Sequence, residues 1–157
     1  MQLTTHRLRV RPFAPADEAA LHTLLSSPAV MEYLEPPFAP AQTHAFLQAA
    51  LGPRPPVYAV EALADGAFVG YLIFHPYPEQ PFADFWELGW VLAPPHWGRG
   101  YAAELTEAVI AHAQRQGIPG LVLECVPEQA ATRRLAAKLG FAPAGQADGL
   151  LRFCLAL

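Results

Sequence analysis

The chain has little charge, little cysteine and no long uninterrupted apolar run. Only 15% of its 157 residues are charged, and the formal net charge is −4. This balance argues against a nucleic-acid-binding protein, which needs Lys and Arg clustered on one face, and it mildly favours a neutral or cationic substrate. No apolar run approaches the ~20 residues that a membrane-spanning helix needs, so no membrane association is predicted.

The chain begins MQLTTHRLRVRPF, with charges from His6 onward and no apolar core of signal-peptide length. A cytoplasmic location is therefore the default expectation. The two cysteines, Cys125 and Cys154, lie in apolar strand-like segments, where a buried reduced thiol is the usual occupant. Their spacing predicts neither a disulfide nor a metal site.

Apolar residues, by contrast, are abundant. They make up 53% of a chain whose length suits one compact domain with a sizeable core. We therefore predict a single domain over residues 1–157. Because this apolar content, together with seventeen prolines, exceeds what a small monomer usually buries, composition also favours a homodimer.

Hydrophobic periodicity predicts a mixed α/β domain in the order β-α-α-β-β-β-α-β-α-β-β. Strands are predicted over residues 7–13, 57–61, 67–74, 85–92, 121–126, 142–144 and 150–155. Helices are predicted over residues 14–25, with Pro28 beyond the end, over 40–51, after Gly100, and over 129–139. Asp65-Gly66 predicts a hairpin turn, and the prolines of residues 75–83 indicate a loop.

The helix after Gly100 has a clean apolar stripe. Leu105, Val109 and Ala113 share one face, and Glu104 is predicted to point toward water. A strand-like run precedes this helix, and the short stretch that joins the two lies at the start of the helix.

Those residues are Trp97-Gly98-Arg99-Gly100-Tyr101-Ala102. Glycine lets the backbone approach a ligand closely, and first-turn amides together with the helix dipole favour a phosphate or pyrophosphate. The stretch therefore predicts a site for a phosphate-bearing cofactor. The Arg99 side chain either adds a charge-assisted contact to that phosphate or points into water.

Several segments taken together carry a family resemblance. They are THRLRVRP at 5–12, VMEYL at 30–34, WELGWVL at 86–92, the hexapeptide at 97–102, QAAT at 129–132 and KLGF at 138–141. The chain resembles the GCN5-related N-acetyltransferase (GNAT) superfamily, and within it the RimJ/RimL-like branch, which acetylates ribosomal-protein N-termini and diverse small amines. The resemblance implies a central, mostly antiparallel twisted sheet of about seven strands with four helices.

The resemblance also implies acetyl-CoA as co-substrate and no metal. The strand backbone at Trp90, Val91 and Leu92 would hold the pantetheine arm and the thioester carbonyl. The hexapeptide 97–102 would hold the pyrophosphate, with Gly100 and Ala102 at its small positions. Trp97 stands where Gln or Arg is commoner, but backbone amides do most of the anion binding at such a turn.

The later segment departs further from the superfamily pattern. Gln129 and Thr132 stand where the superfamily has Asn and Ser, so contacts to the pantetheine or thiol are displaced. The tyrosine that many members use as general acid would fall at Ala136 and is absent. Thr132 either contacts the departing sulfur or caps the helix.

The resemblance implies direct attack of an amine on the thioester in a ternary complex. Glu87 is the candidate general base because it interrupts an aromatic strand expected to line the site; alternatively it pairs with a cation at the sheet surface. His96 and His75 have two competing interpretations: each assists as a base or contacts the cofactor, or each is a solvated loop histidine, which is the favoured interpretation. Cys125 could carry an acyl group only if its thiol were activated, and no neighbouring His or Asn/Asp pattern is present to lower the pKa of that thiol. A buried structural cysteine is therefore expected.

The expected function is an acetyl-CoA-dependent N-acetyltransferase acting on a primary amine, either a protein N-terminus or a small molecule. The alternative is a non-catalytic acyl-CoA-binding or regulatory module, which the missing tyrosine and the changed Gln129 and Thr132 motivate. A dinucleotide-binding oxidoreductase is disfavoured because the sequence does not match the dinucleotide-binding fingerprint. The first glycine of that fingerprint, its position in an early βαβ unit and the downstream acidic residue that binds the ribose are not found here.

Overall fold

The computed structural model describes residues 1–157. Its strands are β1 (Leu3–Thr4), β2 (Leu8–Arg11), β3 (Val57–Ala62), β4 (Phe68–Pro76), β5 (Trp86–Leu92), β6 (Gly120–Cys125), β7 (Ala142–Ala147) and β8 (Leu150–Ala156). Its helices are α1 (Glu18–Leu25), α2 (Pro28–Met31), α3 (Pro40–Ala50), α4 (Tyr101–Arg115) and α5 (Ala130–Lys138). Short 3-10 turns at Pro15–Asp17 and Pro94–His96 lead toward α1 and α4.

The strands are hydrogen-bonded in the order β1-β2-β3-β4-β5-β6-β8-β7. β5 and β6 run parallel, whereas β1–β2, β2–β3, β3–β4, β6–β8 and β7–β8 are antiparallel. The predicted mixed α/β class and mostly antiparallel sheet are therefore confirmed. The hairpin is confirmed too: β3 and β4 pair across a turn in which Gly66 has a φ of 73°.

The structure adds two elements and moves one boundary. Strand β1 was not predicted, so the sheet has eight strands rather than about seven. Pro28 lies beyond the end of α1, as predicted, and it also begins the short helix α2, which was not predicted and in which its fixed φ and missing N–H are tolerated. His75 was placed in a loop, but it lies within β4.

Contacts divide the chain into two compact units. The first comprises Met1–Ile73 and Trp90–Glu104. Its apolar core joins the helices to the sheet through buried side chains: Phe13, Leu21, Leu24, Leu25, Val30, Met31, Leu47, Ala50, Val57, Ala59, Tyr71 and Val91. The single-domain prediction for residues 1–157 stays a prediction.

The second unit comprises Phe74–Gly89 and Leu105–Leu157. Leu105, Val109 and Ala113 are fully buried, which confirms the predicted stripe of α4. β6 is buried along most of its length, as its continuous apolar run predicted.

No helix combines the length and apolarity that crossing a membrane requires.

Candidate functional site

The turn at the start of α4 has the backbone of an anion-binding site. Gly98 and Gly100 have φ values of 70° and 79°, a left-handed conformation that L side chains rarely adopt. A Cβ built on Gly98 meets no atom within 4 Å, and one on Gly100 meets only Arg7 Nη2 at 3.5 Å. The backbone angles therefore favour glycine at both positions, and the space beside each glycine is open.

This geometry fits the phosphate-bearing cofactor that the sequence predicts. First-turn amides of a helix have no carbonyl four residues earlier to bond, and consecutive N–H groups around left-handed residues form an anion-binding concavity. Arg99 is exposed beside them. The hexapeptide 97–102 is thus one continuous turn that can hold a pyrophosphate through its backbone.

Trp97 ties this turn to the end of β5. Its indole Nε1 donates a hydrogen bond to the Leu92 carbonyl at 2.7 Å, while about half of the residue stays exposed. The polar atom of the side chain is thus used inside the protein. Trp97 therefore holds the turn against the end of β5 through this hydrogen bond.

The strand that precedes the turn is shaped by one glycine that the sequence analysis did not single out. Gly70 of β4 has a φ of 152°, and a Cβ there would lie 2.0 Å from the Val91 carbonyl oxygen. Only glycine allows the two backbones to approach so closely. Val91 and Leu92, both predicted cofactor contacts, are buried in β5.

Arg7 is a second residue that the sequence analysis missed. Its guanidinium carbon lies 4.6 Å from the centroid of the Tyr101 ring, within cation–π range, and its Nη2 faces the Cβ position of Gly100. The basic alternation of residues 7–13 indicates a strand but not what each Arg reaches. Arg7 brings a positive charge to the edge of the turn.

Glu104, in the first turn of α4, holds Arg7 there. Glu104 Oε2 accepts from Arg7 Nε at 2.7 Å, and Oε1 accepts from the Arg7 backbone N–H at 2.7 Å and from the Thr5 hydroxyl. The prediction that Glu104 points toward water is therefore wrong. Burial raises the pKa of Glu104, but the hydrogen bonds from Thr5 and Arg7 outweigh it, and the net pKa lies below its ordinary value.

We expect Glu104→Gln to lower the free energy of unfolding by about 1–2 kcal/mol at neutral pH, because the amide cannot replace a charged acceptor of three hydrogen bonds. A lowered carboxyl pKa stabilises the fold above the unfolded value of 4.5 and loses that contribution as pH falls through the folded value. Urea unfolding as a function of pH should thus be flatter in acid for this variant. Glu107→Gln, on the exposed side of α4, is the control, and equal losses in both would contradict the assignment.

His96 lies in the 3-10 turn that leads into the hexapeptide. Its ring stacks on Tyr101 at a centroid distance of 6.1 Å, and its Nδ1 atom is buried with no hydrogen-bond partner. The interpretation of His96 as a freely solvated loop histidine is therefore wrong for this atom. The ring supports the turn by packing.

In the second unit, Glu87 lies on β5, which pairs with β6 through Trp86↔Leu121 and Glu87↔Val122. Glu87 Oε2 is 3.3 Å from His75 Nε2, and the two side chains are only 25% and 29% exposed. Burial raises the pKa of Glu87, a charged His75 opposes that shift, and the negative charges of Glu124 and Glu79 add to it. The net pKa of the Glu87 carboxyl lies above its ordinary value, which is the direction that favours a general base near neutral pH.

A polar cluster lies beside this pair. The Tyr77 hydroxyl donates to Glu124 Oε1 at 2.6 Å, and buried Arg152 binds Glu124 at 3.2 Å and Glu79 at 2.8 Å. The Arg152 guanidinium also lies over the rings of Tyr77 and Phe82. These contacts fasten the loop between β4 and β5, which contains Glu79 and Phe82.

The residues of the later segment take defined positions on α5. Gln129 is the residue before the helix, and its Oε1 accepts from the Val126 N–H at 3.1 Å. Thr132 is the third helical residue rather than the N-cap, so the capping interpretation is wrong. Ala136, where the superfamily tyrosine would fall, is buried.

Cys125 is buried, as predicted, and burial raises the pKa of its thiol, which disfavours the nucleophilic thiolate. Cys154 was expected to be buried but is partly exposed.

The fold and the turn before α4 together define a mixed α/β protein with two left-handed glycines at a helix start. Residues 7–142 match the family described as the Acetyltransferase (GNAT) domain. The chain belongs to this family, which supports an acetyltransferase enzyme.

Individual relatives agree with that assignment. YnaD, an uncharacterized N-acetyltransferase of Bacillus subtilis (strain 168), is 26% identical over 158 residues, covering 99% of this chain and 88% of the relative. A GNAT-family acetyltransferase from Bacillus anthracis aligns with a TM-score of 0.89 at 24% identity, covering 99% of this chain and 98% of that one. An acetyltransferase from Agrobacterium tumefaciens str. C58 aligns with a TM-score of 0.78 at 24% identity, covering 99% and 94%. These structures share the fold.

Proposed function

We propose that the protein is an acetyl-CoA-dependent N-acetyltransferase of the RimJ/RimL-like branch. The observation that carries the proposal is the turn of residues 97–102, in which two left-handed glycines precede the first turn of α4. Acetyl-CoA supplies an acetyl thioester and a pyrophosphate, and the latter is the guest that such a turn accommodates. We assign the pyrophosphate to the hexapeptide and Arg99, and the pantetheine to the backbone of Trp90, Val91 and Leu92.

The proposed reaction converts a primary amine and the acetyl thioester into an amide and a thiol. An ammonium must first lose a proton, because only the neutral amine carries the lone pair that attacks the carbonyl carbon. Glu87 is the proposed base for that proton, with a pKa that burial raises. Thr132 is proposed to face the leaving sulfur, and Gln129, whose Oε1 is engaged by Val126, has its amide nitrogen left to donate.

The acceptor is proposed to be a protein N-terminus or a small-molecule amine. A net charge of −4 favours cationic or neutral acceptors over anionic ones. We propose action in the cytoplasm, without nucleic-acid or membrane partners, and assembly as a homodimer.

The test is release of free thiol from acetyl-CoA in the presence of amino acids, polyamines, aminoglycosides and ribosomal-protein N-terminal peptides. Turnover with at least one amine, and none with alcohols, would support the proposal. Stoichiometric binding of acetyl-CoA without turnover on this whole panel would instead support the non-catalytic acyl-CoA-binding alternative. Failure to bind coenzyme A at all would contradict both.

A further inference from the structure

The hydrogen bond of His75 to the backbone determines which of its two ring nitrogens carries the proton. His75 Nδ1 lies 2.9 Å from the Pro76 carbonyl oxygen. A carbonyl oxygen can only accept a hydrogen bond, so Nδ1 must carry the proton of the neutral ring. The other ring nitrogen, Nε2, then carries a lone pair.

Glu87 Oε2 lies 3.3 Å from that nitrogen. Two lone pairs at this distance repel each other, and a proton on either atom turns the repulsion into attraction. The pair is therefore stable with one proton, held either as a charged ring beside a carboxylate or as a neutral ring beside a carboxylic acid. Such a pair takes up its first proton more readily than either group alone, and a second proton less readily.

The surroundings favour the uptake of that one proton. Glu124 on β6 and Glu79 in the loop before β5 both place negative charge toward Glu87. Arg152 and the Tyr77 hydroxyl bind Glu124, and Arg152 also binds Glu79, which offsets part of that charge.

We infer that His75 and Glu87 act as one acid–base unit that shares a single proton between His75 Nε2 and Glu87 Oε2. The inference rests on the proposed function, since it makes His75 the positioning residue for the proposed base. When the unit has lost its proton, Glu87 takes one from the acceptor ammonium: R–NH₃⁺ becomes R–NH₂, and the charge of the unit rises from −1 to 0. The proton passes to solvent after the product leaves.

The kinetic test compares His75→Gln with the native enzyme over a range of pH. Without His75, the first proton has only the carboxyl to bind instead of two acceptor atoms, so the acid limb of kcat/KM should move to lower pH by about one unit. The plateau should fall about tenfold because the base is weaker, while the KM for the amine is unchanged. His44→Gln is the matched control, since His44 forms a similar pair with Glu18 at 2.9 Å in a far more exposed position; it should leave the profile unchanged.

A second measurement does not depend on turnover. In the native protein, the ¹⁵N resonance of His75 Nε2 and the ¹³C resonance of the Glu87 carboxyl should change in the same pH step. Separate steps in the native protein, or an acid limb that stays in place in His75→Gln, would overturn the inference. Coincident steps in a protein without acetyl transfer would instead overturn the proposed function and leave the shared proton standing.

Discussion

Replacing Gly100 with Glu should weaken coenzyme A binding by more than about 100-fold, equivalent to about 2.7 kcal/mol. The Cβ of residue 100 lies 3.5 Å from Arg7 Nη2, so a carboxylate built on it would face the same cation and the same amides as the pyrophosphate. It would occupy the anion site from within the protein and repel the incoming phosphate. Isothermal titration with coenzyme A measures the effect directly.

The variant should still fold. Forcing an L residue to a φ of 79° costs about 1–2 kcal/mol, but the added charge lies at the start of a helix, where a carboxylate is favourable. Gly117→Glu is the matched control. Gly117 has a similar left-handed φ of 70° and open space around it, but it follows the end of α4 rather than its start. The Gly117→Glu variant therefore bears similar backbone strain and should bind coenzyme A normally. Equal affinities in the two variants would exclude the hexapeptide as the pyrophosphate site.

Local features of the site could be predicted from the sequence, whereas contacts between residues far apart in the chain could not. The helix start at residues 97–102 and the apolar stripe of α4 are local patterns, so periodicity and glycine placement were enough to predict them. The position of Arg7 depends on Glu104, which is 97 residues away in the chain. No local pattern encodes that pair, and Glu104 was assigned to the solvent side for that reason.

Glycines and prolines illustrate the same limit. Gly70 lies inside an ordinary apolar run, so the sequence does not show that this position must be glycine. The reason is the Val91 carbonyl oxygen on the neighbouring strand, which would lie 2.0 Å from a Cβ at residue 70. Pro28 is compatible both with the end of one helix and with the first residue of another. Strand β1 has two residues, too few for an alternation to be seen.

The catalytic candidates were only partly predictable. Glu87 was identified because a carboxylate within an aromatic strand is unusual, and it does lie in a mostly buried position. His75 was assigned to a loop because prolines follow it, whereas the strand continues through Pro76. Its contact with Glu87 therefore emerged from the structure alone.

The largest kinetic effect is expected from Glu87→Gln. This change keeps the size of the side chain but removes its ability to accept a proton, and loss of a general base typically costs 10²–10⁴-fold. We expect kcat/KM to fall about 100-fold at about pH 7. With a peptide acceptor, whose α-amino group has a pKa of about 7.7–8.0, the loss should shrink to less than about tenfold at about pH 9.5, because the amine has then lost its proton to solvent.

The shape of the pH profile therefore decides the role of Glu87 more sharply than the size of the loss. Glu79→Gln is the control, because Glu79 is half exposed and its negative charge raises the pKa of Glu87. That variant should keep the native profile shape and move the acid limb slightly to lower pH, since a lower carboxyl pKa leaves the base free at lower pH. If Glu87→Gln instead loses activity by the same factor at every pH, Glu87 has a role in binding or packing, and the base must be sought elsewhere in the site.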